Sequence, residues 1–120
     1  MTRVITLIFA SVGLAALDSS PAAPAYAIAF NPATGKAAAY NGSFDLDQAR
    51  RVALGNCGGG CRVVASGKKT CAAVVESIST GTSAWAVGYG TTTSVAANQG
   101  WHECRRKGGV TCKTAAAICD

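Results

Sequence analysis

The residues that could do chemistry are few, and most of them are cysteines. His102 is the only histidine of the chain, and Cys104 lies two residues after it. A cysteine–histidine pair acts as a nucleophile only when the thiol is free and within hydrogen-bond reach of the imidazole. Residues two apart on a helix point in different directions. The sequence therefore favours an exposed surface histidine over a catalytic one.

A zinc site is the second chemistry that the cysteines could support. Cys57, Cys61 and Cys104, together with His102, would supply thiolates and an imidazole, which are ligands that zinc prefers. Outside the cytoplasm, however, cysteines pair as disulfides instead of holding a metal. Because the N-terminal segment predicts export, we expect no metal and no other cofactor.

The acidic residues offer no clear catalytic pair. Asp45 and Asp47 are the closest two carboxylates in the sequence. At the start of a helix they are favourable charges near the N-terminal dipole, whereas glycoside hydrolysis needs two carboxyl groups at a fixed separation across the substrate. We therefore predict no catalytic residue, and a small secreted enzyme with an unrecognised site is kept as an alternative.

Basic residues outnumber acidic ones, with 11 Lys and Arg against 6 Asp and Glu and a net charge of +5. This charge favours acidic partners such as anionic lipids or polymers, but it is not a signature of specific nucleic-acid binding. The alternative is a scattered, solvated surface. The candidate basic binding patch comprises Arg50, Arg51, Arg62, Lys68, Lys69, Arg105, Arg106, Lys107 and Lys113.

The N-terminal segment predicts export. A short basic start precedes the apolar run Val4–Leu17, and small residues follow, ending in Ala25 and Ala27. These are the features of a signal peptide over residues 1–25, with cleavage at about residues 25 to 27. The apolar run is shorter than the roughly 20 residues of a membrane-spanning helix. We expect a single mature domain, residues 26–120, in the periplasm, the cell wall or the medium.

The elements that would position these residues form two similar sets. Two strands, a helix and a strand over about residues 26–71 are followed by the same order over about 72–119. An offset of about 47 residues aligns Cys57 with Cys104, Ala49 with Ala96, Ala37 with Ala84 and Ala39 with Ala86. Such self-similarity predicts an internal duplication. The predicted fold is α+β, with two pseudo-symmetric strand–strand–helix–strand repeats that form a mainly antiparallel sheet with two helices.

Six cysteines in an exported chain of this size predict three disulfides. Many pairings are open, and spacing alone does not choose among them. If a twofold axis relates the repeats, Cys71 and Cys119 are equivalent and form the bond between the repeats. That bond closes the longest loop and should stabilise the domain most, by about 4 kcal/mol. The pairs favoured by this symmetry are Cys57–Cys61, Cys104–Cys112 and Cys71–Cys119.

The two tryptophans are the largest apolar side chains of the chain. Trp85 lies on a predicted strand, and Trp101 lies on a predicted helix, on the face that we expect to be buried with Ala96 and Gly100. We therefore expect both tryptophans in the core. An exposed tryptophan would instead indicate a binding hot spot.

Several of these stretches together resemble a known family. They are Tyr26-Ala-Ile-Ala, the helix end Ala-Leu-x-x-Cys57, the strand Cys61-Arg-Val-Val, and Cys71-Ala-Ala. In this order they resemble the domain of unknown function 4189 family, over about residues 26–119. The second helix departs from the pattern because it ends in Trp-His-Glu-Cys. The resemblance implies a small secreted bacterial protein, with no agreed enzymatic activity, catalytic residue or cofactor.

Together, these features predict a secreted, disulfide-stabilised, non-enzymatic binding or interaction protein, with effector and inhibitor as candidate roles. Its partner would be a protein or an anionic surface, with no specific nucleic acid and no membrane span in the mature chain. An electrostatic binder of anionic polymer or lipid is the first alternative. A small secreted enzyme is the second.

Overall fold

The computed structural model describes residues 24–78 and 83–120. Apart from its last two residues, the predicted signal peptide lies outside this part of the chain. No helix in the described ranges is both long enough and apolar enough to cross a membrane. The elements are β1 (Ala25–Asn31), β2 (Lys36–Ser43), α1 (Leu46–Cys57), β3 (Arg62–Lys68), β4 (Cys71–Ser77), β5 (Trp85–Gly90), α2 (Thr93–Arg106) and β6 (Cys112–Cys119).

The strands form two antiparallel sheets of three, and this confirms the predicted α+β class with two helices and disulfide staples. The first sheet has the order β2-β1-β3 and the second has the order β5-β4-β6. A β-bulge interrupts β1 against β3 after Ile28, and another interrupts β4 against β6 after Val74. The two halves therefore share element order, sheet order and bulge position, and their common origin stays a prediction.

The two sheets pack face to face, and one helix covers the outer face of each. Side chains alternate along a strand, so a central strand of this sandwich serves two cores at once. Along β1 the side chains of Ala25, Ala27 and Ala29 face α1, whereas Tyr26, Ile28 and Phe30 face the second sheet. Along β4 the corresponding sets are Cys71, Ala73 and Val75, which face α2, and Ala72 and Val74, which face the first sheet. This double coverage explains why both central strands are almost wholly apolar.

Both helices begin at polar caps and bury a stripe of small residues. The Asp45 side chain accepts a hydrogen bond from the backbone N–H of Asp47 at 3.0 Å, and the Thr92 hydroxyl accepts one from Val95 at 3.1 Å. Such caps satisfy the free amides of a helix start. The buried residues recur every four positions, as expected for an amphipathic helix. They are Ala49, Ala53 and Cys57 on α1, and Ala96, Gly100 and Cys104 on α2.

The expected equivalence of Ala37 with Ala84 is wrong by one residue. Ala37 lies opposite Phe30, and Trp85 lies opposite Glu76, at the matching place in the second sheet. Ala37 packs between the sheets, whereas Ala84 packs on the helix side. A slip of one residue turns every side chain of a strand to the other face, so β5 must align with β2 one residue further along than α2 aligns with α1.

The structure joins the sulfurs in the same three pairs, but one pair has a different role from the one expected. Cys57–Cys61 and Cys104–Cys112 each tie the end of a helix to the start of the next strand. Cys71 and Cys119 lie directly opposite each other on β4 and β6. The expectation that Cys71–Cys119 links the two repeats is therefore wrong. Cys71 begins the central strand of the second sheet, so both cysteines belong to the second half.

Candidate functional site

The predicted basic patch divides between the two ends of the sandwich. Arg62 begins β3 and Lys68 ends it, so about 20 Å of strand separates them. Arg50 and Arg51 lie in the middle of α1, and Arg50 pairs with Asp47 at 3.0 Å. The nine cations therefore do not form one patch.

Six cations gather where β2, β3 and β6 begin and where α2 ends, and we call this region the basic end. Lys36 belongs to it although the predicted patch lacks it, because it begins β2 directly opposite Asn31. The sequence alone could not place Lys36 in this region, because its position depends on the register between β1 and β2. The members are Lys36, Arg62, Arg105, Arg106, Lys107 and Lys113.

Trp85 lies at the centre of the basic end and holds cations from two other elements. The Arg62 guanidinium carbon lies 5.4 Å from the centroid of its indole ring, and the Lys107 Nζ lies 5.9 Å away. Lys107 also donates a hydrogen bond to the Trp85 carbonyl at 3.3 Å. Phe30 supports the indole from the first sheet, with ring centroids 5.3 Å apart. Cation–π contacts of this kind fix the positions of charges that would otherwise be mobile.

Trp101 is not in the core, so the expectation that both tryptophans are buried is wrong for this one. It is 39% exposed on the outer face of α2. Gly100 occupies the buried position of the helix. Because successive helical residues are turned by about 100°, the next residue, Trp101, points away from the core. Arg105 lies 5.2 Å from the Trp101 centroid, and His102 meets the same ring edge-on at 5.1 Å. An exposed tryptophan beside an arginine has the composition of a binding hot spot.

A cavity of about 270 Å³ opens at the basic end, between the β1–β2 turn and the start of β5. Phe30 and Trp85 line its apolar part, and Thr34, Ser83 and Glu76 contribute polar atoms. Glu76 lies between Trp85 and Lys113 across the second sheet, so the three side chains share one face. The cavity therefore combines aromatic surface with a carboxylate inside a basic region.

A second, more open cavity of about 350 Å³ lies along the β3 edge, beside Val64, Ser66 and Tyr89. Arg50 also lines it, and its Nε donates a hydrogen bond to the Ser66 hydroxyl at 3.3 Å. This cavity is shallow and lies away from the basic end. It brings together one cation and no carboxylate.

The remaining carboxylate of the basic end, Glu103, is paired with Arg106 three residues later on α2. The hydrogen bond from the Arg106 guanidinium lowers the pKa of Glu103, and the charges of Arg106 and Lys107 act in the same direction. The same bond raises the pKa of Arg106. Glu103 therefore offsets one cation on the exposed surface of the helix end.

The candidate catalytic and zinc-binding groups are not brought together. Cys104 is bonded to Cys112 and Cys57 to Cys61, so His102 has no thiol partner. Within the described ranges, no group of three or more His, Cys, Asp and Glu residues could hold a metal ion. Asp45 caps α1 and Asp47 pairs with Arg50, so both carboxylates have local structural roles.

Tyr26 is the one buried phenol at the opposite end of the central strand. Burial raises its pKa, and the nearby Thr70 hydroxyl lowers it by less. Its ring packs between the sheets, and the backbone of Gly67 leaves room for its hydroxyl. We assign it a packing role.

The fold and this site define a class: a small α+β sandwich with a helix on each outer face, held by disulfides and carrying a basic, aromatic surface at one end. A family model described as "Domain of unknown function (DUF4189)" matches residues 25–119. The chain belongs to this family, which confirms the resemblance seen in its sequence. No curated protein and no solved structure matched the chain.

Proposed function

We propose that this protein is a non-enzymatic binding domain that works outside the cytoplasm and engages a polyanionic partner through the basic end. One observation carries the proposal: Arg62 from β3 and Lys107 from the end of α2 converge on the ring of Trp85. Long side chains lose conformational freedom when they bind. Because the Trp85 ring already restricts Arg62 and Lys107, these side chains lose less conformational entropy on binding, and this favours binding.

The distribution of charge supports a directed surface. The basic end carries six cations and two carboxylates, Glu76 and Glu103. The far end, by contrast, carries three cations and three carboxylates, so its charges balance. Its members are Lys68, Lys69, Asp45, Asp120 and the ion pair of Arg50 with Asp47. Charge separated in this way attracts and orients an anionic partner before contact.

The disulfides support a location outside the cytoplasm. All three bonds are formed and no cysteine is free in the described part of the chain. Structural disulfides persist in oxidising compartments. Because all the described sulfurs are paired, no thiol is available as a nucleophile there, and this disfavours a thiol enzyme.

A protein partner is the second candidate, and the exposed face of α2 favours it. Trp101 presents aromatic surface, and Arg105 lies against it. Tryptophan and arginine dominate the binding energy of many protein interfaces. Such a partner would need an acidic surface, because the basic end adjoins this face.

The test is a comparison of two variants with the same net charge. Arg62→Gln/Lys107→Gln removes two cations from the basic end, and Lys68→Gln/Lys69→Gln removes two from the far end. Binding to inorganic polyphosphate is measured by titration at several salt concentrations. We expect the basic-end variant to lose about tenfold in affinity and part of its salt dependence, because fewer counterions are released. The far-end variant should lose less than about twofold.

Circular dichroism and thermal unfolding establish that both variants keep the fold. Equal losses in the two variants would show that only net charge matters. Binding that is absent, or insensitive to salt, would refute the electrostatic proposal itself.

A further inference from the structure

We propose that the cavity beside Glu76 is a subsite for one sugar ring of an acidic polysaccharide, whose acidic groups pair with the basic end. This proposal rests on the proposed function and names the partner class. Three observations carry it: the lining of the cavity, the unpaired carboxylate of Glu76, and the cations around both.

The size and lining of the cavity suit a small ring that is apolar on its faces and polar at its edge. Its volume is about 270 Å³, close to the lower limit of ordinary ligand pockets. Trp85, which the buried Phe30 supports from behind, supplies aromatic surface, and such surface packs well against flat apolar faces. Thr34 and Ser83 also line the cavity, and hydroxyl groups can both donate and accept hydrogen bonds.

The side-chain carboxylate of Glu76 has no hydrogen bond or ion pair with any residue in the described part of the chain. Its counterpart in the first sheet is Phe30, which lies opposite Ala37 as Glu76 lies opposite Trp85. Phe30 is 1% exposed and fills the end of the sandwich. The fold therefore accepts an apolar side chain at this place, and packing gives no reason for a carboxylate there.

Gly35 keeps the space around this carboxylate open. A Cβ atom at position 35 would lie 2.8 Å from the nearer Glu76 carboxylate oxygen. The backbone of Gly35 also has a φ of 79°, which favours glycine. At position 35, therefore, the β1–β2 turn brings only backbone up to the Glu76 carboxylate.

The charge around Glu76 selects hydroxyl groups over ammonium groups as its ligands. An ionised carboxylate only accepts hydrogen bonds, so its ligand must donate them. The cations of the basic end repel an ammonium group, whereas a sugar hydroxyl is a neutral donor. Arg62 and Lys107 lie against Trp85, which itself lines the cavity. An acidic group on the same or the next sugar residue can pair with them.

The test uses the sign of the effect of Glu76→Gln on two polymers. Oligogalacturonate carries both sugar rings and carboxylates, and polyphosphate carries charge without a sugar. Glu76→Gln removes a repulsive charge, so polyphosphate should bind somewhat more tightly. Oligogalacturonate should bind about tenfold more weakly, because a charge-assisted hydrogen bond is lost. The matched control, Asp120→Asn, removes one carboxylate at the far end and should weaken neither interaction.

The outcomes separate the two proposals. If Glu76→Gln tightens the binding of both polymers, or if the native protein binds polyphosphate but not oligogalacturonate, the sugar subsite is refuted and the polyanion surface stands. If neither polymer binds, both proposals are refuted. A second readout uses Trp101→Phe, which leaves Trp85 as the only indole. Addition of galacturonic acid should then change the fluorescence of Trp85, and an unchanged spectrum at saturating sugar would overturn the subsite.

Discussion

The two halves of the molecule have the same plan and differ at a few positions, and those positions are informative. Each half has two strands, a helix and a strand, with a central strand buried on both faces and a local disulfide after the helix. The first half has no counterpart of Cys71–Cys119, since Ala25 and Lys68 lie at the equivalent places. The shared features build the fold, whereas the differences change stability and surface chemistry.

The helices meet their sheets differently in the two halves. In the second half, a Cβ on Gly88 would lie 2.0 Å from the carbonyl oxygen of Ala96 and 2.4 Å from the nitrogen of Gly100, so α2 touches β5 backbone to backbone. In the first half, Tyr40 occupies the position of Gly88 and packs on the core under α1. The space between helix and sheet is therefore filled by the Tyr40 side chain in the first half. In the second half, the helix and strand backbones approach closely and leave no such space.

The largest difference concerns the end of the sandwich. The first sheet ends in Ala37, Phe30 and Arg62, and the second ends in Trp85, Glu76 and Lys113. Both sets of three residues include a cation, Arg62 or Lys113. The central residue, however, is the apolar Phe30 in the first sheet and the carboxylate Glu76 in the second. This difference is the basis of the proposed sugar subsite, because the packing of the fold does not require a carboxylate at this place.

The largest expected effect on stability comes from the disulfide that only the second half has. Replacing Cys71 and Cys119 together by alanine should lower the free energy of unfolding by about 4 kcal/mol, since the bond closes a long loop in the unfolded chain. Replacing Cys57 and Cys61 should cost about 2 kcal/mol, because that loop is short. The sequence separations are 48 and 4 residues. Urea denaturation measures both losses, and equal losses would contradict the chain-entropy explanation.

The next effect concerns the backbone contact between α2 and β5. Gly88→Ala should lower the free energy of unfolding by about 3 kcal/mol, because the added methyl group overlaps backbone atoms that cannot move independently. The matched control is Gly55→Ala on α1, where nothing lies within 4 Å of the added atom. This control should stabilise the protein by about 0.5 to 1 kcal/mol through helix propensity. A Gly88→Ala variant as stable as the native protein would show that the helix is not in close contact.

The smallest effect concerns the ion pair between Glu103 and Arg106. The hydrogen bond from Arg106 lowers the pKa of Glu103 in the folded protein. Its stabilising contribution is therefore complete above the unfolded pKa of about 4.3 and is lost as the pH falls through the lower folded pKa. NMR titration of the carboxyl group should report that lowered pKa, and Arg106→Gln should return it to the ordinary range. An unchanged titration in the variant would assign the shift to another group.

Local signals in the sequence predicted much of the fold. The polar caps and the four-residue spacing of Ala49, Ala53 and Cys57 define a helix without tertiary information. The assumed symmetry of the two repeats, not cysteine spacing, favoured the two local disulfides Cys57–Cys61 and Cys104–Cys112, which the structure contains. The order of strands and helices followed from turns and apolar runs, and the confirmed α+β class rests on that order.

Features that depend on non-local pairing were not predictable in the same way. Whether six strands form one sheet or two depends on which edges remain unpaired. Treating Cys71 and Cys119 as equivalent placed Cys71 in the first repeat, whereas strand pairing places both in the second sheet. A turn of about 100° per residue decides that Gly100 is buried and Trp101 exposed. The candidate site was hidden for the same reason, because Lys36, Arg62, Trp85 and Glu76 are brought together only by strand register.

The most direct test of the account is to map where a polyanion contacts the folded protein. Amide and indole signals in two-dimensional NMR spectra are followed while polyphosphate is added at low salt. We predict that the largest shifts occur at Arg62, Lys107, Lys113 and the indole of Trp85, and that added salt reverses them. The largest shifts at the turn of Lys68 and Lys69, or shifts spread evenly over the surface, would contradict a binding function at the basic end.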